Sequence, residues 1–164
     1  MATYAPSGFA VNAFLSDSVA VAEGKVYVQG GGWNILNSQQ FPFRQDRIGI
    51  AAVITVPYPA TNTVNSLNLW LEDQDGKHLS LGSVMTPDGE MRQQMNLTAR
   101  FTQGRPATLR AGAPQNMPFA ANLDNIQFEM PGSYAFVIEI NDEELARLSF
   151  DVANPMGFAM GGGS

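Results

Sequence analysis

Pro131-Gly132-Ser133-Tyr134-Ala135-Phe136-Val137-Ile138-Glu139-Ile140, then Asn141-Asp142-Glu143-Glu144, then Leu145-Ala146-Arg147-Leu148-Ser149-Phe150-Asp151-Val152, is the stretch that decides the fold. Successive side chains of a strand point to opposite faces, so Tyr134, Phe136, Ile138 and Ile140 share one face. Ala146, Leu148, Phe150 and Val152 do the same on the far side of a polar turn. Period-two patterning on both sides of four turn residues predicts a β-hairpin, and with it an antiparallel β class. Phe136, Ile138, Leu148 and Phe150 are expected in the core as its facing members.

Working outward, the same signals recur. Ala10 to Leu15 is a first strand, and Val19 and Val21, then Glu23-Gly24, then Val26 and Val28 make a second hairpin. Arg47 to Val56 is the most β-like run, apolar on both faces as in a central strand, and Pro57 and Pro59 end it because proline cannot donate to a ladder. Val64 to Glu72 follows, with Leu67, Leu69 and Leu71 inward, and Asp73-Gln74-Asp75-Gly76 turns the chain into Lys77 to Leu81. From 82 to 116 the pattern fades into a long irregular connection, punctuated by Gly and Pro, with one strand around Leu97, Ala99 and Phe101. Met117 to Leu123 resumes β character, and Ile126 and Phe128 lead into the closing hairpin. Strands at regular spacing with polar turns predict an all-β, antiparallel two-sheet sandwich rather than a closed barrel. The expected organisation is an arm over 1–9, the sandwich over 10–152 and a Gly- and Met-rich tail over 153–164 that orders only in an assembly.

Composition narrows the function classes. A chain of 164 residues buries about two-thirds of its unfolded surface without a staple. It has no cysteine, which excludes thiol catalysis, zinc-thiolate sites and disulfides. Charged residues make up 15%, and 12 Asn and 10 Gln supply much of the remaining polarity. A net charge of −6 argues against nucleic acid as a partner, which needs basic surface. No basic n-region or long apolar run marks a signal peptide or a membrane span, so a cytoplasmic protein, or one incorporated in a protein particle, is expected.

Asn12-Ala13-Phe14-Leu15-Ser16-Asp17, Glu23-Gly24-Lys25, Gly31-Gly32-Trp33 and Phe41-Pro42-Phe43-Arg44 together resemble a bacterial family of small proteins of unknown function. Leu69-x-Leu71-Glu72-Asp73-x-Asp75-Gly76 and Pro131-Gly132-x-Tyr134 fit it too, so the resemblance runs from 10 to 152. It implies an immunoglobulin-like sandwich and no catalytic set. Pro-Gly-x-Tyr is also similar to the corner in which such sandwiches tie an incoming loop with a tyrosine hydroxyl.

Motifs that carry chemistry fail one by one. Gly30-Gly31-Gly32 lacks the Lys-Ser/Thr ending and helix of a phosphate loop and reads as a bend. Glu72-Asp73-Gln74-Asp75-Gly76 would put Gly82 where a calcium loop needs a bidentate glutamate, so a hairpin turn explains it better. His78, the single histidine, lies by that turn, and no Gly-x-Ser-x-Gly occurs. No metal or cofactor is expected.

Three surface features remain. Trp70 lies opposite Leu69 and Leu71 on its strand, an outward tryptophan that is either a binding hot spot or covered by 82–116 or the tail. Arg92, Arg100, Arg105 and Arg110 give the 90–110 stretch a local +3 against Glu90, leaving −9 elsewhere, for docking an acidic neighbour or pairing with the protein's own acids. Phe158, in the tail, is expected to contact another chain or the sandwich itself.

The expected function is a non-catalytic β-sandwich that binds a protein partner or self-associates as an oligomer. One concrete form is a structural subunit of a virion or other protein assembly. A carbohydrate or small-molecule binder using Trp70, Trp33 or Tyr58 is the alternative, and a hydrolase a distant third.

Overall fold

Short polar turns and frequent β-branched residues leave the chain little but strands to form, and a computed structural model, which describes residues 5–158, bears this out. In chain order the strands are β1 (Ala10–Ser16), β2 (Ser18–Ala22), β3 (Lys25–Gln29), β4 (Ile35–Asn37), β5 (Phe43–Val56), β6 (Asn65–Asp73), β7 (His78–Leu79), β8 (Ser83–Met85), β9 (Met91–Gln93), β10 (Asn96–Phe101), β11 (Gln115–Phe128), β12 (Gly132–Ile140) and β13 (Glu143–Ala153). One sheet has the order β1-β5-β11 and the other β10-β6-β12-β13-β4, with β7 also on β6. Since β10 pairs with 65–70 of β6 and β7 with 71–72, these two share one edge of β6. β2-β3 and β8-β9 are separate hairpins.

The two main sheets face each other across one apolar layer. Ile48, Ile50, Ile54 and Val56 of β5 and Leu123, Ile126 and Phe128 of β11 meet Leu67, Leu69 and Leu71 of β6 and Phe136 and Ile138 of β12 in a single buried cluster. The all-β, two-sheet sandwich is therefore as expected. Phe150 of β13 is the hub of its aromatic part, 5.6 Å from Phe136, 5.8 Å from Phe128, 5.9 Å from Tyr134 and 6.1 Å from Trp33, ring centre to ring centre.

The closing hairpin pairs Tyr134 with Phe150 and Phe136 with Leu148, so the expected register holds. Its turn is shorter than expected. Asn141 and Asp142 alone make it, at φ 49° and 65°, the left-handed pair that matches strand twist. The register slips between Ile138 and Glu139 to absorb the difference. Leu148 is half-buried rather than buried, because β4 covers β13 only at 151–153 and leaves Leu148 at the rim.

Other departures have physical causes. β4 runs parallel to β13, an exception to the antiparallel class. β5 begins at Phe43 rather than Arg47, and β11 is one strand of 14 residues rather than two pieces, because the pair zip together along their length. Lys77 to Leu81 yields only the two residues of β7. The stretch 82–116 is not irregular throughout, since it holds β8, β9 and β10. β8 and β9 are three exposed residues each, and a strand with no buried face leaves no alternation to read.

β1 begins at Ala10; before it Phe9 is buried, and Gly8 N–H donates to Ala5 O at 2.8 Å in a local turn. At the other end β13 continues to Ala153, and Pro155–Phe158 forms a 3-10 turn. The expectations for the Phe158 side chain and for 159–164 fall outside the described residues.

Candidate functional site

Several chain segments converge at the end of the sandwich where β6 and β11 finish and β12 begins. The Asp73–Lys77 turn is locked by Asp73 Oδ1, which accepts from the N–H groups of Asp75 and Lys77 at 2.9 Å each, with Gly76 at φ 77°. Tyr134 closes the opposite wall, its hydroxyl donating to Met130 O at 2.7 Å, so the tyrosine corner expected from Pro131-Gly132-x-Tyr134 is present. Between these walls, and bounded by 80–83, 93–95 and 125–131, lies a groove of about 660 Å³. That is within the range of ligand clefts. Asp73, Asp75 and Glu129 line it with Arg44, Lys77 and His78, and none of these makes an ion pair among the described residues. Burial raises the Tyr134 pKa, and the charges of Asp73 and Glu129 add to the effect, so both carboxylates bear on the same point.

Trp70 does lie on the outer face of its sheet, and the half-exposed side chain is held there. Its ring stacks on His78 at 5.3 Å and 20°, and its N–H donates to Glu72 Oε2 at 3.0 Å. Glu72 Oε1 also accepts from Arg147, whose Nε donates to Glu144 at 2.8 Å. Arg147 first, and then Trp70, hold the Glu72 carboxyl below its ordinary range against the opposing effect of burial. The partner on the indole is thus His78, a neighbour across the β6-β7 turn. Val137, cross-strand between Trp70 and Arg147, is buried beneath this row.

The four arginines sit on β9, on β10 and in the loop after it. Arg100 lies opposite Ser66 on the same face as Trp70. Arg92 is on β9, 3.4 Å from Glu90, and Arg110 sits exposed in the loop after β10. Arg105 is engaged with its own chain, donating to Tyr58 O at 2.8 Å and to the Thr61 hydroxyl, and lying 3.8 Å over the Tyr58 ring. Tyr58 is therefore capped rather than an open platform, and Trp33 packs edge-on against Phe150. The Glu72–Gly76 run forms a hairpin turn.

Sequence reasoning missed where exposed apolar surface collects. Phe14, Val21, Tyr27 and Val28 are exposed on and beside the β2-β3 hairpin, and Val84, Met85, Met91 and Met95 on and beside β8-β9. Asn122 ties the first hairpin across the outer face of β5 and β11, its Oδ1 accepting from Val19 N–H at 3.0 Å and its Nδ2 donating to Val19 O at 2.8 Å. Gly49 makes room for the crossing, since a Cβ there would lie 2.5 Å from Ser16 Oγ. The available signal was the run Val26-Tyr27-Val28, apolar at three successive positions where a half-buried strand would alternate.

Among the described residues, no helix is long and apolar enough to cross a membrane. No curated protein matches the chain. Among solved structures it is similar to the Pseudomonas fluorescens alkylpurine DNA glycosylase AlkC bound to DNA containing an abasic site analog, at 11% identity and TM-score 0.40 over 88% of this chain. The chain spans only 30% of that enzyme's length. It is also similar to an immunoglobulin-like protein from Pseudomonas aeruginosa, at 16% identity and TM-score 0.39, over 88% of this chain and 96% of that one. A protein family described as of unknown function, DUF6941, matches residues 12–153, nearly the span on which the sequence suggested a family of that kind. The chain belongs to the DUF6941 family.

Proposed function

We propose that the protein is a non-catalytic β-sandwich module that works by packing on a neighbouring protein, in the first instance another copy of itself, through its two exposed hairpins. The observation that carries this reading is that Val21, Tyr27 and Val28 on β2-β3 and Val84, Met85 and Met91 on β8-β9 are all exposed, with Phe14 and Met95 beside them. Scattered exposed apolar residues need no explanation, but residues gathered on projecting elements mark interaction surface. The methionines of the second hairpin add adaptable, polarisable contacts. A subunit of a virion or other protein shell is one form such a module takes.

A second reading, ligand binding, is favoured by the end groove. Size-exclusion chromatography with light scattering, followed by a thermal-shift ligand panel, separates the two. A species larger than one chain supports packing. A strict monomer stabilised by one small-molecule class supports ligand binding and rejects packing.

A further inference from the structure

The end groove has features that suit a particular occupant. β7 is bonded to β6 along one edge, and its other edge carries no strand among the described residues. Lys77, His78, Leu79 and Ser80 all line the groove, so the backbone of this edge runs along it. Unpaired N–H and C=O groups beside a cleft are what an extended segment uses to add a strand. The groove also holds two exposed thioethers, Met95 and Met130. Ser83 and Gln93, which line it, are cross-strand partners, and Met85 and Met91, two residues further along, are the next partners on the same face. A track therefore leads from the groove over Ser83 and Gln93 to two exposed methionines on the hairpin.

We propose that the groove and this track receive an extended peptide that pairs with the open edge of β7, lays apolar side chains on Met95 and Met130, and directs a basic side chain to Glu129 and Asp73. The basic side chain follows from charge. Three acids line the groove against Arg44 and Lys77, and one of them, Asp73, is the cross-strand partner of Tyr134. Asp73 Oδ1 is already occupied by its turn and Glu129 Oε1 accepts from Gln127 Nε2 at 2.6 Å, which leaves the second oxygen of each carboxylate as the acceptors. The inference rests on the reading that the protein works by binding other proteins; it adds the end groove as a second surface and shares the β8-β9 hairpin with the surface that packs copies together.

The test uses the full chain and two labelled, end-capped eight-residue peptides, one alternating Leu with Lys and one alternating Leu with Glu, in fluorescence anisotropy and in amide chemical-shift mapping. The Lys peptide should bind saturably, with shifts at 77–80, 93–95 and 129–133. Glu129→Gln should weaken it by about fivefold, the upper end for an exposed ion pair, and Met95→Ser should weaken it as well. Glu143→Gln, at the turn on the opposite end of the sandwich, should leave it unchanged. Equal binding of the Glu peptide, equal loss in Glu143→Gln, shifts confined to β2-β3, or no saturable binding would each overturn the proposal. Light scattering on the same samples keeps the two readings apart. Association without peptide binding rejects the groove alone, and peptide binding by a strict monomer rejects packing through the hairpins.

Discussion

Replacing Phe150 with alanine tests the core arrangement at its centre. Phe150 is 2% exposed, and four aromatic rings surround it at 5.6–6.1 Å. Deleting a buried phenylalanine ring costs about 3–5 kcal/mol, more where neighbours cannot close the space. Here the neighbours Phe128, Tyr134 and Phe136 are themselves strand residues locked by ladder bonds, so collapse is limited. Each lost aromatic pair adds about 0.5–1.5 kcal/mol beyond area burial, although these losses overlap. The expected cost is therefore in the upper part of the range, about 4–5 kcal/mol. Leu148 at the rim is the internal control, and Leu148→Ala should cost about 1–2 kcal/mol because part of that side chain is already in water. In urea titration, with a slope of about 2 kcal/mol/M, Phe150→Ala should lower the midpoint by ~2 M. Should that variant fail to fold, Phe150→Leu, which keeps apolar bulk and loses the ring pairs, should cost about 1–2 kcal/mol. A loss below about 1 kcal/mol for Phe150→Ala would mean that the hairpin is out of register by one residue, and a larger loss for Leu148→Ala would put Leu148 rather than Phe150 at the centre of the core.

Three further outcomes follow from single contacts. Tyr134→Phe removes the 2.7 Å bond to Met130 O and should cost about 1 kcal/mol in the same titration. Asn122→Ala removes both bonds to the Val19 backbone and should cost about 1–2 kcal/mol, with hydrogen exchange accelerating over 18–29 before it does in β5. The Glu72 carboxyl is held below its ordinary value of 4.5 by Arg147 first and by Trp70 second, so its stabilisation is complete above that value and is lost as pH falls through the depressed folded value. Thermal unfolding across that acid range should show a shallower decline for Glu72→Gln than for the native chain, and equal slopes would remove the carboxylate from the balance.

The closing hairpin was legible because burial enforces alternation. Tyr134, Phe136, Ile138, Phe150 and Val152 all face the core, and the sequence carries that constraint openly. The Asp73–Gly76 turn and the tyrosine corner were legible because few residue types satisfy their backbone geometry. What stayed hidden lacks local cause. β8 and β9 bury nothing, the parallel β4-β13 pair joins segments more than a hundred residues apart, and the stacking of His78 on Trp70 depends on a turn that brings β7 back along β6. The groove is assembled from several separate segments, so no motif spells it. The partners of Arg105 were hidden for the same reason, since Tyr58 and Thr61 lie more than forty residues before it.

Sedimentation velocity over a concentration series, comparing the native chain with a Tyr27→Lys, Met91→Lys double variant, addresses packing through the hairpins most directly. Both side chains are exposed, at 51% and 63%, so the substitutions should leave the fold and its unfolding midpoint nearly unchanged. The native chain should gain mass with concentration, and the variant should remain a single chain. A native protein that stays monomeric throughout, or a variant that associates as strongly as the native chain, would contradict packing through the hairpins.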